Sequence, residues 1–155
     1  MRVNSHRFGQ IDVPRQTILH FPDGMLGFPH LRRGCLLPYG PNAGLRCLQS
    51  LEDPALLFLT VEPYIVFPQY EVELTDADAI ALELGKPEHA AVLTLITISK
   101  DGEAVTTNLL APIVINTLTR RARQVILDTD RYLTKHLIGA RIKEDLNAGV
   151  GPQTR

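Results

Sequence analysis

The chain has 155 residues, of which 45 % are hydrophobic and 21 % charged, and its formal net charge is −1. That length suits one domain with a sizeable core, and the composition excludes disorder through the body of the chain. A near-neutral molecule has no general bias toward nucleic acid or acidic membranes.

The first half is punctuated by turn formers, from Phe8-Gly9 and Val13-Pro14 to Pro22-Asp23-Gly24, Gly27, Pro29 and Gly40-Pro41. None of it stays free of Gly and Pro for the length of a normal helix, so short strands are expected at Gln10–Val13, Gln16–Phe21, Cys35–Pro38 and Arg46–Leu51. Ala55–Val61 is an almost continuous apolar run and reads as a strand buried on both faces, ended by Pro63. Thr75 or Asp76 can cap a helix over Asp78–Leu84, with Ile80 and Leu84 four apart and Gly85 as its stop. Ala91–Ser99 is rich in β-branched residues, and the Asp101-Gly102 turn returns it as Ala104–Asn108. Ile113–Asn116 and Gln124–Leu127 are further strands, joined by a basic turn at Arg120-Arg121-Ala122-Arg123. Tyr132–Ile138 fits a helix or irregular chain. The expected fold is all-β and mainly antiparallel, a small single-domain barrel or sandwich with one or two short helices. Residues 1–146 form the domain and 147–155 a disordered tail.

No stretch approaches the 18 apolar residues of a membrane span, and Met1–Arg7 lacks the apolar run of a signal peptide, so a cytoplasmic location is expected. Cys35 and Cys47 are too few for a disulfide framework and form no CxxC pair. The five histidines are scattered without HxH or HxxxH spacing, so neither metal nor cofactor is expected. Ser50 and Ser99 lack GxSxG surroundings, and Gly24-Met25-Leu26-Gly27 is followed by Phe28 and not by Lys-Ser. Asp76 and Asp78 at a helix start stabilise its dipole without further role. Catalysis finds no support.

Charge is unevenly spread. Residues 1–50 carry +4, residues 51–90 carry −8 and residues 91–155 carry +3. The acidic middle block either steers basic partners or decorates a solvated edge. The Arg120–Arg123 stretch has no interleaved aromatics, so a solvated turn and an RNA contact both stay open.

Four stretches carry a family resemblance. Phe21-Pro22-Asp23-Gly24-Met25-Leu26-Gly27-Phe28 resembles the F-x-x-G-x-x-G-F signature of the FliW family. Leu48-Gln49-Ser50 is similar to its L-Q-S segment, Pro68-Gln69-Tyr70 to its P-D-Y, and Asn108 through Asn116 to its N-L-x-A-P-I-x-I-N. Gln124-Val125-Ile126-Leu127 falls where the family has Q-x-x-L. Leu26 stands where Pro is usual, and Gln69 replaces the acid of P-D-Y. The motif residues Gly24, Gly27, Phe28 and Pro112 have structural roles: the glycines supply positive φ, and Phe21 and Phe28 pack the loop's ends. Asn108 either satisfies backbone groups stranded beside Pro112 or touches a partner.

The resemblance implies two protein partners, flagellin and CsrA, a small dimeric repressor of flagellin translation. FliW-type proteins hold CsrA off the message until flagellin displaces it, a partner switch without turnover by a monomer that touches neither nucleic acid nor membrane. Glu71, Glu73, Asp76 and Asp78 are the candidate contacts for basic CsrA. The alternatives are an RNA-binding module using Arg120–Arg123, or a small enzyme.

Overall fold

The computed structural model describes residues 1–41 and 44–150. Eleven strands appear in chain order among them: β1 Arg2–Ser5, β2 Gly9–Asp12, β3 Leu19–His20, β4 Arg33–Pro38, β5 Leu45–Ser50, β6 Leu57–Val61, β7 Ala90–Ile98, β8 Val105–Thr107, β9 Ile113–Asn116, β10 Ala122–Gln124 and β11 His136–Leu137. The helices are α1, Asp76–Ala81, and α2, Ala140–Val150. The fold is mainly antiparallel β, as the strand pattern predicts.

β1 and β2 form a separate hairpin. The remaining strands run in the order β10-β9-β7-β6-β5-β4-β3, with β8 and β11 attached beyond β7. This sheet curls until its two edges meet, where His20 forms a parallel bridge with Arg121 and the His20 N–H donates to Arg120 O at 2.9 Å. The Asp101-Gly102 turn joins β7 to β8 as expected, with Ile98 opposite Val105 and Gly102 at φ +75.

Alternation sorts the side chains onto two faces. Leu19, Leu48, Leu93, Ile113 and Ile115 bury the inner face, together with Phe21, Met25 and Leu31 from the loop between β3 and β4. On the outer face Cys47, Val61 and Val105 pack with Tyr39, Ile142 and Leu146, so α2 covers the sheet there. β6 serves both, with Phe58 against the inner cluster and Leu57 and Leu59 against the outer. Leu82, Leu109, Val114 and Val125 join α1 to β9 in a third cluster with Tyr70.

Several elements depart from the sequence pattern. Gln16–Phe21 is split, because Pro14 opens a single 3-10 turn over Arg15–Thr17 and only Leu19–His20 pairs. α1 starts two residues before Asp78 and stops three before Leu84, since Glu83 takes a left-handed φ of 56. The expected strand Gln124–Leu127 lies earlier, at Ala122–Gln124, because the left-handed turn falls at Arg120, φ 67, and Ala122 is buried opposite Ile115. His136–Leu137 pairs with β8, which rules out a helix across Tyr132–Ile138. α2 continues through Asn147–Val150, the first part of the expected tail; residues 151–155 lie outside the described residues.

Candidate interaction surface

The acidic segment rests on aromatic anchors. Val66–Thr75 connects β6 to α1 without a strand, so Glu71 and Glu73 do not stand on a sheet edge. Tyr70 is 4 % exposed, and its hydroxyl donates to Leu109 O at 2.6 Å. Burial pushes the Tyr70 phenol well above its ordinary pKa, so it stays a donor. The Glu71 N–H donates to the Tyr132 hydroxyl at 3.0 Å, and the Tyr70 and Tyr132 rings meet edge-on at 4.8 Å. Burial then alternates: Glu71, Glu73 and Thr75 are exposed while Val72 and Leu74 pack inward.

Three of the four candidate carboxylates face solvent. Glu71 lies 3.6 Å from Arg131 in a pair exposed on both sides, whereas Glu73 and Asp76 have no cationic partner among the described residues. Asp78 differs. Its N–H donates to Thr75 Oγ1 at 3.1 Å, capping α1, and its carboxylate lies 3.2 Å from Arg123 with the side chain 15 % exposed. It sets the position of the segment more than it presents charge.

The glycine loop and the stretch ending in β9 meet at β10. Arg123 also pairs with Asp23 at 2.6 Å, tying the glycine loop to α1. Gln124 Oε1 accepts from the Leu26 N–H at 3.1 Å, and its Nε2 donates to Ala111 O at 3.1 Å. Within the loop, Met25 and Phe28 exchange two main-chain bonds around Leu26-Gly27, with Gly27 at φ +78. Gly24 has φ +69, and a Cβ there would stand 2.5 Å from Pro29 O. Phe21 is fully buried, while Phe28 is 41 % exposed and leans edge-on against Phe58 at 5.0 Å.

Asn108 turns its amide inward. Its Oδ1 accepts from the Ala111 N–H at 2.9 Å, bracing the excursion that carries Pro112 between β8 and β9. The Pro112 carbonyl accepts from the Val125 N–H at 2.9 Å. Sequence reasoning did not single out Asn116, whose Nδ2 donates to Leu82 O at 2.9 Å while its Oδ1 takes the Leu118 and Thr119 N–H groups. Its place at the end of the last motif is the only signal the sequence carries.

The basic stretch is largely neutralised. Arg121 donates to Ala81 O at 3.1 Å and pairs with Glu83 at 3.5 Å, and Arg123 holds two aspartates. That leaves one of the three arginines, Arg120, without a carboxylate among the described residues, which is little for gripping phosphates. Both thiols are buried and free, and burial pushes Cys47 up to about 11, so neither is a ready nucleophile. Among the described residues no three His, Cys, Asp or Glu side chains could share a metal ion, and no helix is long and apolar enough to cross a membrane.

Comparison with known proteins agrees with the motif reading. The family model described as FliW protein matches residues 2–138. The flagellar assembly factor FliW of Pseudothermotoga lettingae is 39 % identical over 133 residues, 85 % of each chain. That of Bacillus subtilis is 33 % identical over 139 residues, 90 % of this chain and 97 % of its own. A crystal structure of the flagellar assembly factor FliW superposes with a TM-score of 0.82 at 32 % identity, covering 91 % of this chain and 99 % of that one. With a family model spanning most of its length and relatives this similar in sequence and fold, the chain belongs to the FliW protein family.

Proposed function

We propose that this protein is a flagellar assembly factor that binds flagellin and CsrA, and that it relieves CsrA repression of flagellin translation by exchanging one partner for the other. It acts in the cytoplasm, as a monomer and by stoichiometric binding, with no reaction catalysed. The flagellar part of this reading comes from the names its relatives carry. The partner part rests on one observation: Glu71 and Glu73 project from a connection pinned by Tyr70 and Tyr132, Asp76 follows at the start of α1, and Asp78 is locked beneath them. A rigidly held, mostly unpaired acidic run attracts a protein that is basic where it grips RNA, and it repels the RNA itself.

Affinity capture of the tagged full chain from its native cytoplasm tests the reading. Recovery of flagellin and CsrA supports it, and an eluate holding neither contradicts it.

A further inference from the structure

β7 offers its main chain to β6 over only part of its length. β6 pairs with it at Thr60–Leu95 and Val61–Thr94, and the chain then turns away into the 3-10 turn Pro63–Ile65. Proline has no N–H with which to extend a ladder. On the opposite side β9 keeps β7 paired back to Ala90.

Hydrogen-bond direction alternates along a strand, which decides where the remaining groups point. His89 O accepts from the Thr117 N–H at 2.9 Å, and Leu95 O accepts from the Asn108 N–H at 3.0 Å. Odd-numbered residues of this stretch therefore address β9 and β8. Even-numbered residues address the β6 side, where Thr94 has Val61 as its partner. Ala90 and Val92 have none there among the described residues; the Ala90 N–H turns back to Pro87 O, so the Val92 N–H and the Ala90 and Val92 C=O groups line a short open edge.

A groove flanks that edge on each face. Leu36, Leu93 and Ile115 wall an inner cavity of about 610 Å³. Val72, Leu74 and Leu84 wall an outer one of about 460 Å³. Tyr64 lines both and is 43 % exposed. An extended chain sends successive side chains to opposite faces, so paired apolar grooves along an open edge match the period of a strand. Charge narrows the occupant. Arg46 is answered by Glu62 at 3.6 Å, whereas Arg120 in the inner groove and Lys86 in the outer have no carboxylate partner among the described residues.

From this we infer that the open edge of β7 takes up an extended apolar segment of a partner protein, flanked by acidic residues, as an added strand against Ala90–Leu93. The inference rests on the partner-binding reading above and adds where, and in what conformation, one partner docks.

Amide hydrogen exchange of the full chain, followed by NMR, tests it. In the free protein the Ala91 and Leu93 amides should be protected and that of Val92 exchange fast. Three probes are added separately: purified flagellin, purified CsrA and the synthetic peptide Glu-Val-Leu-Val-Ile-Glu. At least one should slow Val92 tenfold or more. Val92→Pro removes an N–H that no internal bond uses and should weaken that probe's binding about tenfold; if the variant does not fold, the exchange pattern of the unaltered chain decides. Flagellin or CsrA binding with no probe slowing Val92 overturns the edge and leaves the partner reading intact. Protection by the peptide alone, with neither protein binding, supports the edge and overturns the partner reading. Binding by no probe overturns both. Protection in the free chain that rises with its own concentration assigns the edge to a second copy and overturns the proposal.

Discussion

Arg123→Ala should be among the most costly single changes outside the apolar core. The guanidinium reaches Asp23 at 2.6 Å and Asp78 at 3.2 Å, and its side chain is 34 % exposed. Asp23 is 64 % exposed, so that arm should contribute only about 0.5 kcal/mol. Asp78 is 15 % exposed and would keep its carboxylate with the compensating cation gone, a loss of about 1–2 kcal/mol. Together they come to about 2 kcal/mol, or about 4–8 °C in Tm for a domain of this size. Urea unfolding of the parent, Arg123→Ala, Asp78→Ala, Asp23→Ala and the doubles of Arg123→Ala with each aspartate variant measures both the total and the two couplings. The cycles should return about 1 kcal/mol or more between Arg123 and Asp78 and less than half of that between Arg123 and Asp23. A single variant within about 0.3 kcal/mol of the parent, or equal coupling to both aspartates, would refute the assignment of Asp78 as an anchored strut.

Gly24→Ala should destabilise by about 2–4 kcal/mol and Gly27→Ala by only about 1, because both sit at positive φ but only Gly24 faces the Pro29 carbonyl; thermal melts that rank them the other way would contradict the loop geometry. Burial raises the Glu52 carboxyl, but bonds from the Arg33 N–H, the Arg33 guanidinium and the Arg32 N–H outweigh it and hold the pKa below the usual glutamate range. A carboxylate depressed on folding stabilises above its ordinary pKa and loses that contribution as pH falls through the depressed value, so Glu52→Gln should be less stable than the parent at pH 7 and converge with it on acidification. A gap that widens in acid would reverse the sign. Cys47, pushed up to about 11 by burial, should resist iodoacetamide at pH 8 in the folded chain and react once unfolded; rapid labelling of the native protein would disprove its enclosure. Reversing Glu71 and Glu73 to Lys together should weaken CsrA binding about tenfold at low salt and shift Tm by less than about 1 °C, the binding defect shrinking as salt rises.

Strands with strong local signals were legible from the residues alone. Ala91–Ser99 announced β7 through its β-branched run, Asp101-Gly102 announced its hairpin, and Ile113–Asn116 matched β9 to the residue. What stayed hidden depends on partners distant in the chain. Gln124–Leu127 looked as strand-like as Ala122–Gln124, and the choice between them is made by Arg120 turning left-handed so that Ala122 faces the core. β1 pairs through main-chain groups that Arg2, Asn4 and Ser5 do not advertise. Of the described side chains of α2, Ile142 and Leu146 face the sheet, too little apolar periodicity to outweigh the glycines near its end, and they are held by packing against Tyr39 and Cys47. Of the candidate surface, the charge of Glu71, Glu73 and Asp76 could be read directly. The inward turn of Asp78 could not, because Arg123 lies 45 positions later and looked like part of a basic turn.

Binding without turnover is tested by a titration of RNA release. CsrA is bound to a labelled flagellin leader RNA, this protein is added in steps, and purified flagellin follows. Release should stop at a fixed stoichiometric ratio to CsrA, and RNA binding should return when flagellin competes for the same protein. Release that continues with time at sub-stoichiometric protein, or no release at any ratio, would contradict binding without turnover.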